Sequence, residues 1–422
     1  MSTASSSDVS PPPSSAPSST IARPNIPLIL ICGCVIAMMS FGPRSTMGMF
    51  LLPMTEANGW SREAFALALA IQNLAWGAAQ PFVGMIADRY GTARMLTIGG
   101  FLYAAGLLLM AFAESTFMLN VSAGILIGIG IAASSFALVI AAFGRVVSPA
   151  QRSLAFGIGT ASGSMGQFVF AFLAPLLIDG LGWQMALVSM AGLMMTIGLF
   201  AMALKGKAAA SSTTAVAEQN LRQALAEAFN TRGYILLTFG FFVCGFHVAF
   251  ITVHLPPYIA DIGLDPFWGG AAIATIGLFN IFGSLASGYI GGRYPKPIFL
   301  SLIYLSRAAV IAIFLFAPPS PLTVMLFAGA MGLLWLSTVP PTSGLVAVMF
   351  GPRYMATLFG FVFFSHQLGS FLGIWLGGKL YDETGSYDAI WWLGIALGLF
   401  AALVHWPIRE EPVARLATAP AE

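Results

Sequence analysis

Long apolar runs separated by short polar breaks fill the chain from about residue 27 to residue 407. A bilayer core is crossed by about 20 apolar residues in a helix. Twelve runs of that order can be placed, at approximately 27–54, 62–86, 93–113, 118–144, 153–178, 182–204, 233–257, 267–290, 297–317, 322–349, 354–380 and 389–407. The breaks carry turn and capping residues. Asn58-Gly59-Trp60-Ser61 precedes the second run, with Ser61 suited to cap its helix. Asp179-Gly180 and Gly182 stand between the fifth and sixth runs, and Pro318-Pro319-Ser320-Pro321 between the ninth and tenth. Within the tenth run, Ser337-Thr338 before Pro340-Pro341 predicts a bend whose freed backbone groups are covered by hydroxyls. The pattern predicts an all-α membrane protein of twelve transmembrane helices.

Composition agrees. Of 422 residues, 58% are hydrophobic and 8% charged, where a soluble domain carries roughly a quarter charged. Apart from Arg44 and Arg307 deep inside runs, every Lys and Arg except Arg62 and Lys379 falls on the side of the N-terminus if that end is cytoplasmic. The asymmetry predicts cytoplasmic N- and C-termini. Residues 1–25 are rich in Ser, Pro and Ala and read as a disordered tail without the plan of a signal peptide. The longest polar interruption, 205–231, reads as a flexible cytoplasmic linker. It ends in a short amphipathic helix with Leu221, Leu225 and Phe229 on one face, expected on the membrane surface. The layout is therefore a six-helix bundle at 26–204, the linker, a second bundle at 232–409, and a tail at 410–422. Six spans, a linker and six spans is the organisation of a two-bundle transporter. A weak repeat supports it: Gly84-Met85-Ile86-Ala87-Asp88-Arg89-Tyr90 returns as Gly288-Tyr289-Ile290-Gly291-Gly292-Arg293-Tyr294. The same offset sets Arg44 one residue from His247.

Between the second and third runs stands Gly84-Met85-Ile86-Ala87-Asp88-Arg89-Tyr90-Gly91-Thr92-Ala93-Arg94. This resembles the signature loop of the major facilitator superfamily, with Arg94 one position later than that pattern usually places it. The physics suits a gate. Gly84 permits close helix contact, Gly91 a tight turn, and Asp88, Arg89 and Arg94 charge-assisted bonds across one face. The second copy has Gly292 in place of Asp88, so any latch built here is asymmetric. At the fifth run, Arg152-Ser153-Leu154-Ala155-Phe156-Gly157 and the small residues through Gly166 resemble the monocarboxylate transporter family and its oxalate:formate antiporter-like relatives. Gly59-Trp60-Ser61-Arg62 and Gly180-Leu181-Gly182-Trp183 are similar to further pieces of that family. The resemblance implies a carrier working by alternating access between two bundles.

Chemistry inside the spans is sparse. Arg44 lies in the first run beside Gly42-Pro43, which loosens a helix. A charge at that depth is expensive unless it faces a cavity or a partner. All sixteen acids fall in tails, loops or span ends, so none stands at the depth of Arg44. The membrane carboxylate that monocarboxylate transporters use for proton coupling is thus missing. The expectation is that Arg44 binds a substrate carboxylate. The alternative is a structural arginine bonded to carbonyls at the break, or one whose head snorkels outward. Asn73, Trp76 and Gln80 form a stripe on the second run and are expected to face the cavity, with Trp335 as an aromatic wall and Asn280, Gln367 and Gln167 as weaker polar candidates. His247 and His366 are candidates for substrate contact or proton coupling. Arg307 is a coupling candidate or a buttress, and His254 beside Pro256-Pro257 a possible wet cap. The alternative for each histidine is a core imidazole bonded to a hydroxyl or carbonyl.

The function expected is secondary transport of a small monocarboxylate-like organic anion across the inner membrane, either proton-coupled or by exchange. The expected partners are that anion, protons and the lipid bilayer, with the carrier a monomer. No basic run suits nucleic acid, and no Gly-Lys-Ser/Thr phosphate loop suits ATP. No nucleophile constellation marks an enzyme, and no cofactor is called for. Cys32, Cys34 and Cys244 read as small buried residues rather than metal ligands. The competing functions are export of toxic amphipathic or metalloid compounds, suggested by the aromatic and Met-rich composition, and a non-transporting sensor built on a transporter fold.

Overall fold

The computed structural model describes residues 25–147, 152–205, 219–351 and 354–417. The described residues are all-helical and contain ten helical segments long and apolar enough to cross a membrane, against the twelve expected. The linker residues 206–218 and both tails lie outside the described residues, apart from 410–417.

The first span is α1 (Ile26–Ser45), capped by the Asn25 side chain on the Leu28 amide at 3.2 Å. Pro43 does not end it at once. The helix runs to Ser45, passes through a tighter turn at Met47–Phe50 and resumes as α2 (Leu51–Asn58). Thr46 Oγ1 covers the Pro43 carbonyl at 2.9 Å, and Ser45 Oγ covers that of Phe41 at 2.7 Å. The tight turn brings Gly48 against the Thr252 and Val253 carbonyls of a later helix, where a β-carbon would clash.

Ser61 caps α3 (Arg62–Tyr90) through the Ala64 amide at 3.1 Å. Then follow α4 (Thr92–Ala111) and a segment built from α5 (Thr116–Leu119), a wide π-helical stretch at Asn120–Leu126, α6 (Ile127–Ala133) and α7 (Phe136–Val146). The continuous α8 (Arg152–Met195) holds a break at Gly182, whose φ of 81° and ψ of 157° are not helical. The expected turn is therefore present inside it, at a residue without a β-carbon to strain. α9 (Ile197–Ala201) completes this half.

After the linker, α10 (Leu221–Asn230) opens with a reciprocal cap between Asn220 and Gln223. It buries Ala224 and Ala228, packs Leu225 partly on the core and leaves Leu221 and Phe229 exposed, the Phe229 ring edge-on to Tyr234 and Phe361. The second half contains α11 (Arg232–Asp261), α12 (Phe267–Gly291), α13 (Lys296–Phe316), α14 (Pro321–Leu334), α15 (Val339–Phe350), α16 (Met355–Thr384), α17 (Asp388–His405) and the short α18 (Ala414–Ala417). The bend expected near Ser337-Thr338 is the gap between α14 and α15.

Two apolar cores result. One draws on residues from Ile29 to Leu204 and takes in Ala249, Val253 and Ile374. The other draws on residues from Ala228 to Ile408 and takes in Ala171. The two sets of helices meet along α3–α16 and α8–α12, and where the turn at Met47–Phe50 touches α11. These seams position the site.

Candidate functional site

Arg44 lies at the last turn of α1, 9% exposed, where the two sets of helices meet. Its Nη2 donates to Asn73 Oδ1 on α3 at 2.9 Å. Asn73 is held ready for this, because its own amide donates to the Leu69 carbonyl one turn back at 2.9 Å. The guanidinium sits 4.7 Å from the Trp76 ring and 5.4 Å from that of Phe41, so aromatic faces flank the cation. Among the described residues no carboxylate pairs with it. Beside it is a small cavity of about 10 Å³, the space of about one water. Met47, Leu69, Gln72 and Asn73 line it from one half, and Ala249, Thr252, Val253 and Ile374 from the other.

The second half reaches this centre through α16. Gln367 Nε2 donates to the Asn73 backbone carbonyl at 3.1 Å, and its Oε1 lies 3.0 Å from His366 Nδ1. The Phe363 ring stacks on His366 with centroids 5.7 Å apart and meets Trp76 edge-on at 5.4 Å. Trp76 Nε1 donates to Gln80 Oε1 at 2.9 Å, and Gln80 in turn donates to Ser135 at 3.2 Å. Arg44, Asn73, Trp76, Gln80, His366 and Gln367 therefore form one connected group across the seam.

The other candidates lie elsewhere. His247 on α11 faces α17: its Nε2 is 2.8 Å from the Gly394 carbonyl, and its ring lies beside Gly394 and Gly398. A carbonyl only accepts, so Nε2 carries the proton and donates. Arg307 is fully buried in the second half and caps the α14–α15 gap. Its Nε and Nη2 donate to the Leu334 carbonyl at 3.2 and 2.6 Å, and Nη2 also donates to that of Trp335. Trp335 itself is buried inside this half, in its apolar core. Asn280 accepts from the Leu336 amide at 3.0 Å and donates to Ser164 on α8 at 2.9 Å, which ties the gap to the α8–α12 seam. Gln167 donates to the Ile273 carbonyl at 3.1 Å along the same seam. His254 is buried, not wet, between the Ile374 carbonyl at 2.8 Å and Tyr387 Oη at 3.2 Å.

At the opposite end of α3, Gly91 makes the expected turn with φ of 100°. No atom lies within 4 Å of where a β-carbon on Gly84 would stand, so the close contact foreseen there is not made in this structure. Arg89 packs over Tyr90 at 5.3 Å and Arg94 is exposed. The side chain of Asp88 lies outside the described residues, as do those of Arg152, Ser153, Leu154 and Phe156.

Sequence reasoning missed Gln72, whose amide donates to the Ala123 carbonyl at 2.7 Å beside the cavity, and the apolar wall around it. A polar pair, Gln72-Asn73, in the middle of an apolar run was the available signal. It missed as well the pairing of Arg62 with Asp261, which sit in two different loops of the sequence and meet only in the fold.

The deciding observation is the match of residues 30–374 to the Major Facilitator Superfamily. The chain belongs to that superfamily. This facilitator is 25% identical over 390 residues to the uncharacterized MFS-type transporter YcxA of Bacillus subtilis, covering 90% of this chain and 94% of the other. It is 28% identical to monocarboxylate transporter 11 of Mus musculus (83% and 80% covered) and 26% to monocarboxylate transporter 13 of Rattus norvegicus (83% and 81%). Within the superfamily it resembles the monocarboxylate transporters. Among solved structures, the nucleoside transporter NupG matches with a TM-score of 0.71 at 15% identity, covering 90% of this chain and 99% of that one. The xylose transporter XylE of E. coli, in an inward open conformation, matches with 0.70 at 13% identity (91% and 96%). At such identity these structures show the fold alone. The facilitator is a multi-pass membrane transporter rather than an enzyme.

Proposed function

We propose that this facilitator is a secondary transporter of twelve spans in two six-helix bundles, 26–204 and 232–409, with both termini cytoplasmic in the inner membrane. The ten apolar segments support this count once α8 is divided at Gly182 and α3, diluted by Gln72, Asn73 and Gln80, is added. Its substrate is a small monocarboxylate-like organic anion, moved by alternating access. The observation that carries this reading is Arg44. A buried cation with no acid partner among the described residues, flanked by aromatics and facing a cavity shared by both halves, is completed by an anion. A carboxylate fits because it accepts two parallel N–H bonds from a guanidinium. One cation at the seam suits one carboxylate, since Arg307 is sealed inside the second half with its Nε and Nη2 on backbone carbonyls. The relatives named monocarboxylate transporters point to the same class.

For coupling, His366 is the better-placed histidine, because it sits in the connected group while His247 is turned into its own bundle. The facilitator then carries a proton on His366 or exchanges one anion for another. The test is uptake of a labelled monocarboxylate into proteoliposomes by the wild type and by Arg44→Ala. Retained uptake in a folded Arg44→Ala protein overturns the assignment.

A further inference from the structure

At the Arg62 end of the molecule a set of charges joins the two halves, and neither the signature loop nor the Arg44 site accounts for it. Arg62 opens α3. Its Nη1 and Nη2 donate to the two carboxylate oxygens of Asp261, at the end of α11, at 2.6 and 2.8 Å. Nη1 also donates to Tyr387 Oη at 3.1 Å, and the guanidinium lies 3.7 Å from the Tyr381 ring. A bidentate fork of this kind is the strong form of the ion pair. Its side chains are 13% and 26% exposed, so water screens it only in part.

The same end of α3 is held a second way. The Asp382 carboxylate, from the end of α16, accepts the backbone amides of Arg62 at 3.1 Å and Glu63 at 2.7 Å. These are the first amides of α3, which have no partner inside the helix, and a negative charge at a helix start is favourable. Glu63 accepts from Trp375 Nε1 at 3.0 Å. Tyr387 is fixed in turn. His254 Nε2 faces the Ile374 carbonyl and so carries the proton, which leaves Nδ1 to accept from the Tyr387 hydroxyl. Tyr387 thus donates to His254 and accepts from Arg62. Gly378 allows this approach, because a β-carbon there would meet the Arg62 carbonyl and Ala66.

Every one of these bonds to α3 runs from one half to the other, and all lie at one end. They break together if the halves part there and survive if the halves rock at the opposite end. We propose that Arg62, Asp261 and Asp382 form a latch that holds the facilitator shut at this end, and that rupture of the Arg62–Asp261 pair sets how readily it opens. The proposal rests on alternating access but on no substrate assignment. Failure at Arg44 leaves it standing, and its own failure leaves Arg44 untouched.

Pulsed electron–electron distance measurement tests it without any ligand. Spin labels go on cysteines placed at the exposed residues Ala57 and Pro319, on opposite halves at this end, with Cys32, Cys34 and Cys244 replaced by Ser. Arg62→Gln and Asp261→Asn are each expected to raise the long-distance population about tenfold. The double variant should go no further, and Asp382→Asn should add a separate, smaller rise. Arg62→Lys keeps the charge without the fork and should fall between, which guards against a merely misfolded variant. Raising salt from 0.1 to 1 M should open the wild type and leave Arg62→Gln unchanged. An unchanged distance distribution in Arg62→Gln, or effects of Arg62→Gln and Asp261→Asn that simply add, overturns the latch.

Discussion

Arg44 and Arg307 are both arginines deep in apolar helices, and neither has a carboxylate partner among the described residues. What surrounds them differs. Arg307 spends its Nε and Nη2 on the carbonyls of Leu334 and Trp335, which the gap between α14 and α15 leaves without helical partners, while its Nη1 is buried without a partner. It is sealed inside one half with no exposed surface. Arg44 gives one nitrogen to an amide, is sandwiched by rings, and opens on a cavity that both halves line. A buried cation that repairs a broken helix is architecture. A buried cation without an acid at the seam between the halves is what the proposed function reads as the binding site. The position of the partner, not the burial of the charge, separates the two.

The comparison can be broken at either arginine. The largest effect is expected at Arg44: Arg44→Ala should cut monocarboxylate uptake into proteoliposomes by two orders of magnitude or more, to roughly background, because the carboxylate loses its only cation. Its melting temperature should fall only modestly, since one buried acceptor, Asn73 Oδ1, loses its donor and no acid is left unpaired among the described residues. Arg307→Met should lose more stability and less uptake. Two buried carbonyls lose their donors, at about 1–3 kcal/mol each, and thermal unfolding should report the loss. Substrate affinity of the protein that remains folded should hold. Equal loss of uptake with equal stability in both variants would erase the distinction.

Smaller effects sharpen it. If His366 carries the proton, His366→Gln flattens the pH dependence of uptake while His247→Gln leaves it intact. A profile unchanged in His366→Gln points to exchange. Gln367→Leu removes the bond from α16 to the Asn73 carbonyl and should raise KM a few-fold with Arg44 still in place, as measured by initial uptake rates.

Much of the architecture was legible because apolar run length and turn residues report it directly. Ser61 caps α3 as its sequence context suggests, and Gly182 and Ser337-Thr338 mark real interruptions. Arg44 was legible for the same reason, as a charge in a run that otherwise excludes charge. Of the stripe Asn73, Trp76 and Gln80 that helical spacing gives, Asn73 bonds Arg44 and lines the cavity and Trp76 faces the guanidinium, whereas Gln80 reaches only Trp76 and Ser135. What the sequence does not carry is which way a lone polar residue points once helices pack. His247 and His366 look alike in sequence, yet one turns into α17 and the other to the seam. Arg307 and Trp335 could not be placed without the path of the α14–α15 gap. The spacing of Leu221, Leu225 and Phe229 announced an amphipathic α10 but not that Ala224 and Ala228 form the face packed on the bundle, since small residues carry no signal of their own. Asp261 and Asp382 looked like ordinary loop-end acids because their partner, Arg62, lies far away in sequence.

The central claim is that a carboxylate completes Arg44. Thermal unfolding of purified protein with lactate, benzoate, chloride and methylammonium tests it most directly. The account predicts that a carboxylate raises the melting temperature of the wild type and of Arg307→Lys but not of Arg44→Gln, and that methylammonium raises none of them. Equal stabilisation of Arg44→Gln by the same carboxylate, or stabilisation of the wild type by methylammonium alone, would contradict it.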